Sequence, residues 1–231
     1  MNIAIITAAG TGSRMNQSTP KQFMDINGKP LIVYTLEKFD QSDLIDEIAI
    51  SCLDGWQDTI KELIKKYSIS KVKHIVTGGK TGQESITNAY NAIKDKCDDN
   101  SNIVIHDGNR PNLSQELIKN SIELCEKKGN AILYIPCQEV MFISDDFISS
   151  TEQIDRSRLA RTQTPHVFKK HLLDKLFSLA EKNSLYSEVA ICSLCQKVGE
   201  TIYLCKGDEK NIKITFQSDI DIFKALLKSN A

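Results

Sequence analysis

Four short stretches of this chain carry cations, three of them beside glycine or aspartate, in a way that suits phosphate chemistry. The first, Ala8-Ala9-Gly10-Thr11-Gly12-Ser13-Arg14-Met15, follows an apolar run and leads on to Pro20-Lys21-Gln22. Glycines let backbone N–H groups approach phosphate oxygens and tolerate the positive φ angles of such a cradle. Arg14 and Lys21 add full charges, which suits a triphosphate. The spacing is not that of a P-loop, and Met15 stands where a dinucleotide fingerprint needs its third glycine. A tight strand-to-helix turn would leave the same Gly-x-Gly; the Arg14 and Lys21 pair favours an anion loop.

The second stretch is His106-Asp107-Gly108-Asn109-Arg110-Pro111, again just past an apolar run. An aspartate there is placed to hold Mg2+, a hard ion that takes carboxylate, water and phosphate oxygens. The alternative is that Asp107 caps its loop and Arg110 is solvated. Gly78-Gly79-Lys80, with Ser85 beyond it, reads as another anion loop, a base-recognition loop or a plain turn. Lys213 lies in Asn211-Ile212-Lys213-Ile214-Thr215, whose alternation predicts a strand with Lys213 facing away from Ile212 and Ile214.

The elements that must position these residues alternate. Residues 2–7, 47–52, 72–76, 102–106 and 131–135 are short and rich in Ile, Val and Ala, which suits strands buried on both faces. Between them Trp56, Ile60, Leu63, Ile64 and Tyr67 recur at helical spacing, as do Ile86, Ala89, Tyr90 and Ile93. Ser114 is placed to cap a helix carrying Leu117, Ile118, Ile122 and Cys125. This rhythm predicts an α/β fold, a mostly parallel sheet with helices on both faces. Ligands of such sheets gather at the carboxyl ends of the strands, where the Gly10, Gly78-Gly79 and His106-Asp107 loops all fall.

The rhythm breaks after Pro136. Residues 137–158 read as an irregular or β-hairpin excursion carrying the apolar run Val140-Met141-Phe142-Ile143, which a monomer would struggle to cover. A helix then resumes around Leu172, Leu173, Leu176 and Leu179, followed by strands near 202–205 and 212–215. Ser218-Asp219-Ile220-Asp221 resembles a capping box opening the closing helix.

At 231 residues the chain suits one large α/β domain. A net charge of −1 with scattered Lys and Arg lacks the broad basic face duplex nucleic acid requires, so the expected partner is a small molecule. The apolar runs are of strand length and no signal peptide is apparent, which predicts a cytoplasmic protein with no membrane partner. Seven cysteines form no even framework, and Cys192-x-x-Cys195 lacks a second pair at zinc spacing. They are read as thiols packed like small apolar groups.

Taken in order, Ala-Ala-Gly-x-Gly-x-Arg-Met, Pro-Lys-Gln, Gly-Gly, His-Asp-x-x-Arg-Pro, Gln-Thr-Pro and Asn-x-Lys-Ile-Thr resemble the sugar-alcohol phosphate cytidylyltransferases over nearly the whole chain. That family includes the ribitol-5-phosphate and 2-C-methyl-D-erythritol 4-phosphate enzymes. The resemblance implies a Rossmann-like nucleotidyltransferase domain over residues 1–231, a dimerisation arm at 137–158, a homodimer, and transfer of CMP from CTP with Mg2+. It implies that Ala8, Ala9, Gly10 and Gly12 contact the nucleotide, and that Arg14 and Lys21 bind the departing phosphates. Gly79, Lys80 (through its backbone) and Ser85 would read the cytosine, and Asp107 would be the Mg2+-linked aspartate. Arg110 and Arg156 would hold a phosphorylated acceptor, Arg156 across the dimer, and Lys213 would act at the α-phosphate.

The acceptor side departs from the family pattern. An arginine is replaced by Gly82, an Asp-Thr pair by Glu139-Val140 and a Thr-Asp pair by Tyr186-Ser187. With the nucleotide side kept and the acceptor side rewritten, a ribitol-5-phosphate-like polyol phosphate is the favoured acceptor, and the segments 51–56 and 191–194 point the same way. The alternatives are methylerythritol phosphate or, from another class, a nucleotide-binding module without catalysis.

Overall fold

Isoleucines at the start of the chain send side chains alternately to two faces, and both faces are covered. The computed structural model describes residues 1–10, 19–186, 188 and 190–229. Strand β1 (Asn2–Ala8) is followed by a hairpin of β2 (Asp25–Ile26) and β3 (Lys29–Pro30), then by α1 (Leu31–Asp40). Next come β4 (Glu47–Cys52), α2 (Gln57–Lys66), β5 (Val72–Thr77), α3 (Gly82–Asn91), β6 (Asn102–Asp107), α4 (Gln115–Lys128) and β7 (Asn130–Pro136). An arm of β8 (Met141–Ile143) and β9 (Glu152–Ile154) precedes β10 (Ala160–Lys169). The chain closes with α5 (Lys170–Lys182), α6 (Ile191–Lys197), β11 (Leu204–Lys206) and α7 (Gln217–Ser229).

Seven strands form one sheet in the order β11-β7-β10-β6-β1-β4-β5. β1 pairs in parallel with β4 and β6, β4 with β5 and β7 with β11, whereas β10 runs antiparallel to β6 and β7. Ala4, Ile6, Ile48, Ile50 and Val104 meet Leu36, Ile60 and Ile118 of α1, α2 and α4 on one face. Ile3, Ile5, Ala49, Ile103 and Ile105 meet Tyr90, Leu176 and Leu194 of α3, α5 and α6 on the other. The fold is therefore the Rossmann-like one expected, its alternation of buried side chains following directly from strand geometry. β1 lies between β4 and β6, so the chain reverses its direction of travel across the sheet there, the point where such sheets bind ligands.

Some local expectations need correction. Residues 212–215 belong to no strand; Ile214 is buried against Phe223 while Lys213 reaches Asp107. Alternation specified the facing of the side chains, but a ladder also needs a neighbouring strand. The strand expected at 202–205 is β11 at Leu204–Lys206. α7 begins at Gln217, and Asp219, not Ser218, caps it: its Oδ2 accepts the N–H groups of Thr215 and Phe216, both at 2.7 Å. β10 does not read as a strand in the sequence, because its first half is polar and Pro165 follows directly. All seven cysteines are free, and Cys192 and Cys195 are packed inside α6 as expected, burial pushing the Cys195 thiol up to about 12. Among the described residues no helix is long and apolar enough to cross a membrane.

Candidate active site

A cleft of about 440 Å3 opens at the carboxyl ends of the central strands, a size common for small-molecule sites. β1 delivers Ala8, Ala9 and Gly10 to it, β6 delivers Asp107 and Asn109, and the loop after β5 delivers Gly79, Lys80 and Ser85 at the start of α3. Lys21 and Gln22 come from the turn before β2, Lys213 from the segment before α7. The three loops that the strand rhythm predicted to converge do so.

The walls are held by side-chain hydrogen bonds. Buried Gln22 donates through Nε2 to the carbonyls of Ala8 at 2.8 Å and Gly10 at 3.0 Å, fixing the first loop from below. Across the cleft Thr81 caps α3 by accepting the Glu84 N–H at 3.1 Å. Ser85 Oγ accepts the Gly79 N–H at 3.0 Å, and Glu84 Oε2 accepts the Lys80 N–H at 2.7 Å. With both N–H groups turned onto α3, the acceptors left on this loop are its carbonyls. Gly78 has no room for a side chain, since a Cβ there would lie 2.1 Å from Ala9 Cβ. The two loops touch at this point.

Asp107 is the electrostatic centre. Its Oδ2 is 3.1 Å from Lys213 Nζ and 3.1 Å from Arg110 Nε. Burial alone would raise its pKa, but Lys213 and Arg110 outweigh burial and hold the carboxyl well below the usual carboxylate range. The backbone N–H of Asp107 donates to Thr164 Oγ1 at 3.1 Å, and Thr164 Oγ1 lies 3.1 Å from His106 Nδ1. His106 Nε2 faces the Arg110 carbonyl at 3.0 Å. A carbonyl only accepts, so Nε2 carries the ring proton and the Thr164 hydroxyl donates to Nδ1. Burial pushes His106 down to about 4, so the ring is neutral at pH 7.

The donor set fits Mg2+. Among the described residues no group of three or more His, Cys, Asp or Glu side chains could hold a metal. One cleft carboxylate is what Mg2+ commonly takes from protein, the remaining positions going to water and phosphate.

Of the residues singled out from sequence, Ala8, Ala9, Gly10, Lys21, Gly79, Lys80, Ser85, Asp107 and Lys213 line the cleft together. Gly12, Arg14 and Ser187 lie outside the described residues. Arg110 stands behind Asp107, mostly buried, with Nη1 donating to the Asn211 carbonyl at 2.8 Å. Val140 and Arg156 belong to the arm, Arg156 Nη1 donating to the Gln138 carbonyl, and neither lines the cleft. Gln22, Asn109, Gln163 and Thr164 were given no role from sequence, although each stands inside a quoted motif.

Comparison with known proteins agrees with this geometry. The family model for 2-C-methyl-D-erythritol 4-phosphate cytidylyltransferase (IspD) matches residues 2–229. The ribitol-5-phosphate cytidylyltransferase of Vibrio parahaemolyticus is 40% identical over 230 residues, covering 98% of this chain and 96% of its own. The 2-C-methyl-D-erythritol 4-phosphate cytidylyltransferase of Clostridium acetobutylicum is 39% identical over 233 residues, covering 100% and 99%. Among solved structures, the Francisella tularensis enzyme of the latter name superposes with a TM-score of 0.83 at 26% identity, over 97% of this chain and 98% of that one. A match running from the first strand to the last helix leaves no element unaccounted for, and the chain belongs to the IspD family of cytidylyltransferases, which are nucleotidyltransferase enzymes.

Proposed function

We propose that this enzyme transfers CMP from CTP to the phosphate of a small polyol, with ribitol 5-phosphate its preferred acceptor, and releases pyrophosphate. The observation that carries this reading is the convergence of Lys21, Lys213 and Asp107 with the Gly10 and Gly79 loops in one cleft. Two cations and a glycine cradle suit a triphosphate. The carbonyls of the 79–80 loop suit the exocyclic amine of cytosine, whereas the O4 of uracil would face them acceptor to acceptor.

The acceptor's phosphate has a second pKa near ~6, so it is a dianion at neutral pH and needs no general base. One of its oxygens bonds to the α-phosphorus as the bond from that phosphorus to the bridging oxygen of the leaving pyrophosphate breaks. The main obstacle is repulsion between two anions. Lys213 and Lys21 lower it by placing positive charge at the cleft, and the loops hold the reactants in line. Asp107 keeps Lys213 from swinging into solvent and is the residue that would hold Mg2+. When bound, that ion would neutralise triphosphate charge.

Gly82 supports a changed acceptor: it lines the cleft, and a Cβ there would meet nothing within 4 Å. Where the family pattern carries arginine, this chain has open space. A homodimer joined through the 137–158 arm completes the reading, with Val140 at the acceptor pocket and Arg156 reaching the acceptor across the interface. The Clostridium acetobutylicum relative, nearly as similar as the Vibrio one, favours methylerythritol phosphate as the second reading.

Pyrophosphate release in a competition between the two acceptors decides. Ribitol 5-phosphate is expected to win in kcat/KM; a methylerythritol phosphate advantage of tenfold or more, about 1.4 kcal/mol, would replace this acceptor. Equal turnover of CTP and UTP would remove the cytosine assignment of the 79–80 loop.

A further inference from the structure

Lys213 contacts Asp107 directly and lines the cleft, yet no ladder of the sheet holds the segment carrying it. We propose that Gln163, which does not line the cleft and has no assigned role, is the positioning residue that sets Lys213 against Asp107. This rests on the reading of Lys213 as acting at the transferred phosphate.

The argument begins with a break in β10. Its pairing with β7 runs to Gln163 opposite Leu133 and resumes at His166 opposite Ile132, so Thr164 and Pro165 fall outside the ladder. At this bulge the Gln163 side chain acts as a surrogate peptide group. Its Nε2 donates to the carbonyls of Asp208 at 2.8 Å and Asn211 at 3.3 Å, while its Oε1 accepts the Asp208 N–H at 3.2 Å. Thr164 continues the clamp in both directions: its carbonyl accepts Asn211 Nδ2 at 2.8 Å, and its hydroxyl oxygen accepts the Asp107 N–H. Thr164 therefore ties Asp107 to the segment carrying Lys213, and Gln163 holds that segment from the adjacent position.

The far side of the segment is pinned as well. Asn109 donates through Nδ2 to the Ile214 carbonyl at 2.6 Å and its own carbonyl accepts the Ile214 N–H at 2.9 Å. Gln163, Asn109 and Asn211 are all buried, so water is not at hand to replace a lost partner. The chain also passes Gln163 closely at Gly207, where a Cβ would lie 2.3 Å from Gln163 Oε1. Bulges of this kind re-aim side chains near active sites. Here the bulge supplies backbone-like hydrogen bonds to a segment that has no strand beside it.

Two kinds of measurement test this on the full chain. Gln163→Glu keeps the shape but turns an oxygen onto two carbonyls, and Gly207→Ala displaces the Gln163 amide without altering that residue. Each variant, with its folding checked by circular dichroism, is expected to lower kcat at least roughly tenfold with KM for CTP within about twofold. In a Lys213→Ala background each should cost less than about twofold, since its effect runs through Lys213. Equal losses with and without Lys213, or an unchanged kcat in folded Gln163→Glu, would overturn the proposal. The second measurement needs neither activity nor a variant: hydrogen exchange of the native protein should find the Asp208 and Ile214 amides protected. Exchange of both at open-loop rates means that there is no clamp and ends the proposal. Protected amides in a protein that turns over no CTP would instead refute the proposed function.

Discussion

Asp107 is a carboxylate whose charge survives burial only because of its company. With Lys213 and Arg110 on the same oxygen, it stays ionised far into acid. Lys213 therefore waits at the cleft in a defined place, and its loss should be felt in the transition state more than in binding. Lys213→Ala is expected to reduce turnover roughly 100-fold, about 3 kcal/mol, with CTP affinity from calorimetry little changed. A loss within about threefold, under ~1 kcal/mol, would withdraw its role in transfer. Two neutral rings lie behind this pair. Burial holds His106 and His166 down to about 4, against an ordinary value of 6.5. Below pH 6.5 the unfolded chain takes up protons at these positions while the fold does not until about pH 4. Their contribution to stability is thus complete above pH 6.5 and is lost as pH falls towards 4, on the order of 3 kcal/mol for each ring. Urea unfolding of the ligand-free protein at pH 7 and pH 5 should find a clear drop, and a flat profile would mean that these rings are protonated in the fold.

At the level of elements, the site is assembled from strand ends and from loops that lean on one another. The 78–80 loop is tied to the amino terminus of α3 by Thr81, Glu84 and Ser85, and it abuts the first loop through Gly78 and Ala9. Gly78→Ala would set two Cβ atoms 2.1 Å apart, both carried directly on backbone, so one loop must move. Overpacking of this kind costs roughly 1–3 kcal/mol. Thermal unfolding should register that loss, and CTP affinity should fall with it if, as proposed, both displaced loops hold the nucleotide. Unchanged affinity would mean that the base does not sit between these loops. The same scale explains what was and was not legible. β1, β4 and β6 are apolar because both their faces are covered, and composition alone marks them. β10 is equally central, but its first residues are mostly exposed where it pairs with β7 alone, and its register shifts between Gln163 and His166, across Thr164 and Pro165. Its sequence therefore does not read as a core strand.

For the molecule as a whole, the arm is the conspicuous unfinished surface. Phe142 is 58% exposed, Phe147 95% and Ile148 90%, on a two-stranded hairpin that projects from β7 and returns into β10. An apolar hairpin of two strands gains little stability alone. The proposed dimer would cover it reciprocally through a two-fold axis. Light scattering at micromolar concentration is expected to give a dimer mass, and Phe142→Asp with Phe147→Asp a monomer with impaired turnover. A native protein that is monomeric and fully active would exclude a site shared between subunits.

What the sequence determined by itself was the set of chemical groups and the end of the sheet where they gather. Glycine loops, Lys21 and Asp107 follow strands whose burial is written in their composition, and a parallel α/β sheet brings such loops to one edge. Tertiary structure decided which group contacts which. Arg110, expected from its motif to hold the acceptor, is set in place by Asp107 and the Asn211 carbonyl. Gln163 looks like one polar residue among several but carries the segment that presents Lys213. Hydrogen bonds between residues 45 to 105 positions apart, such as Gln163 to Asp208 and Asn109 to Ile214, have no local periodicity to betray them. They exist only after the sheet has brought distant turns together and burial has removed water as an alternative partner.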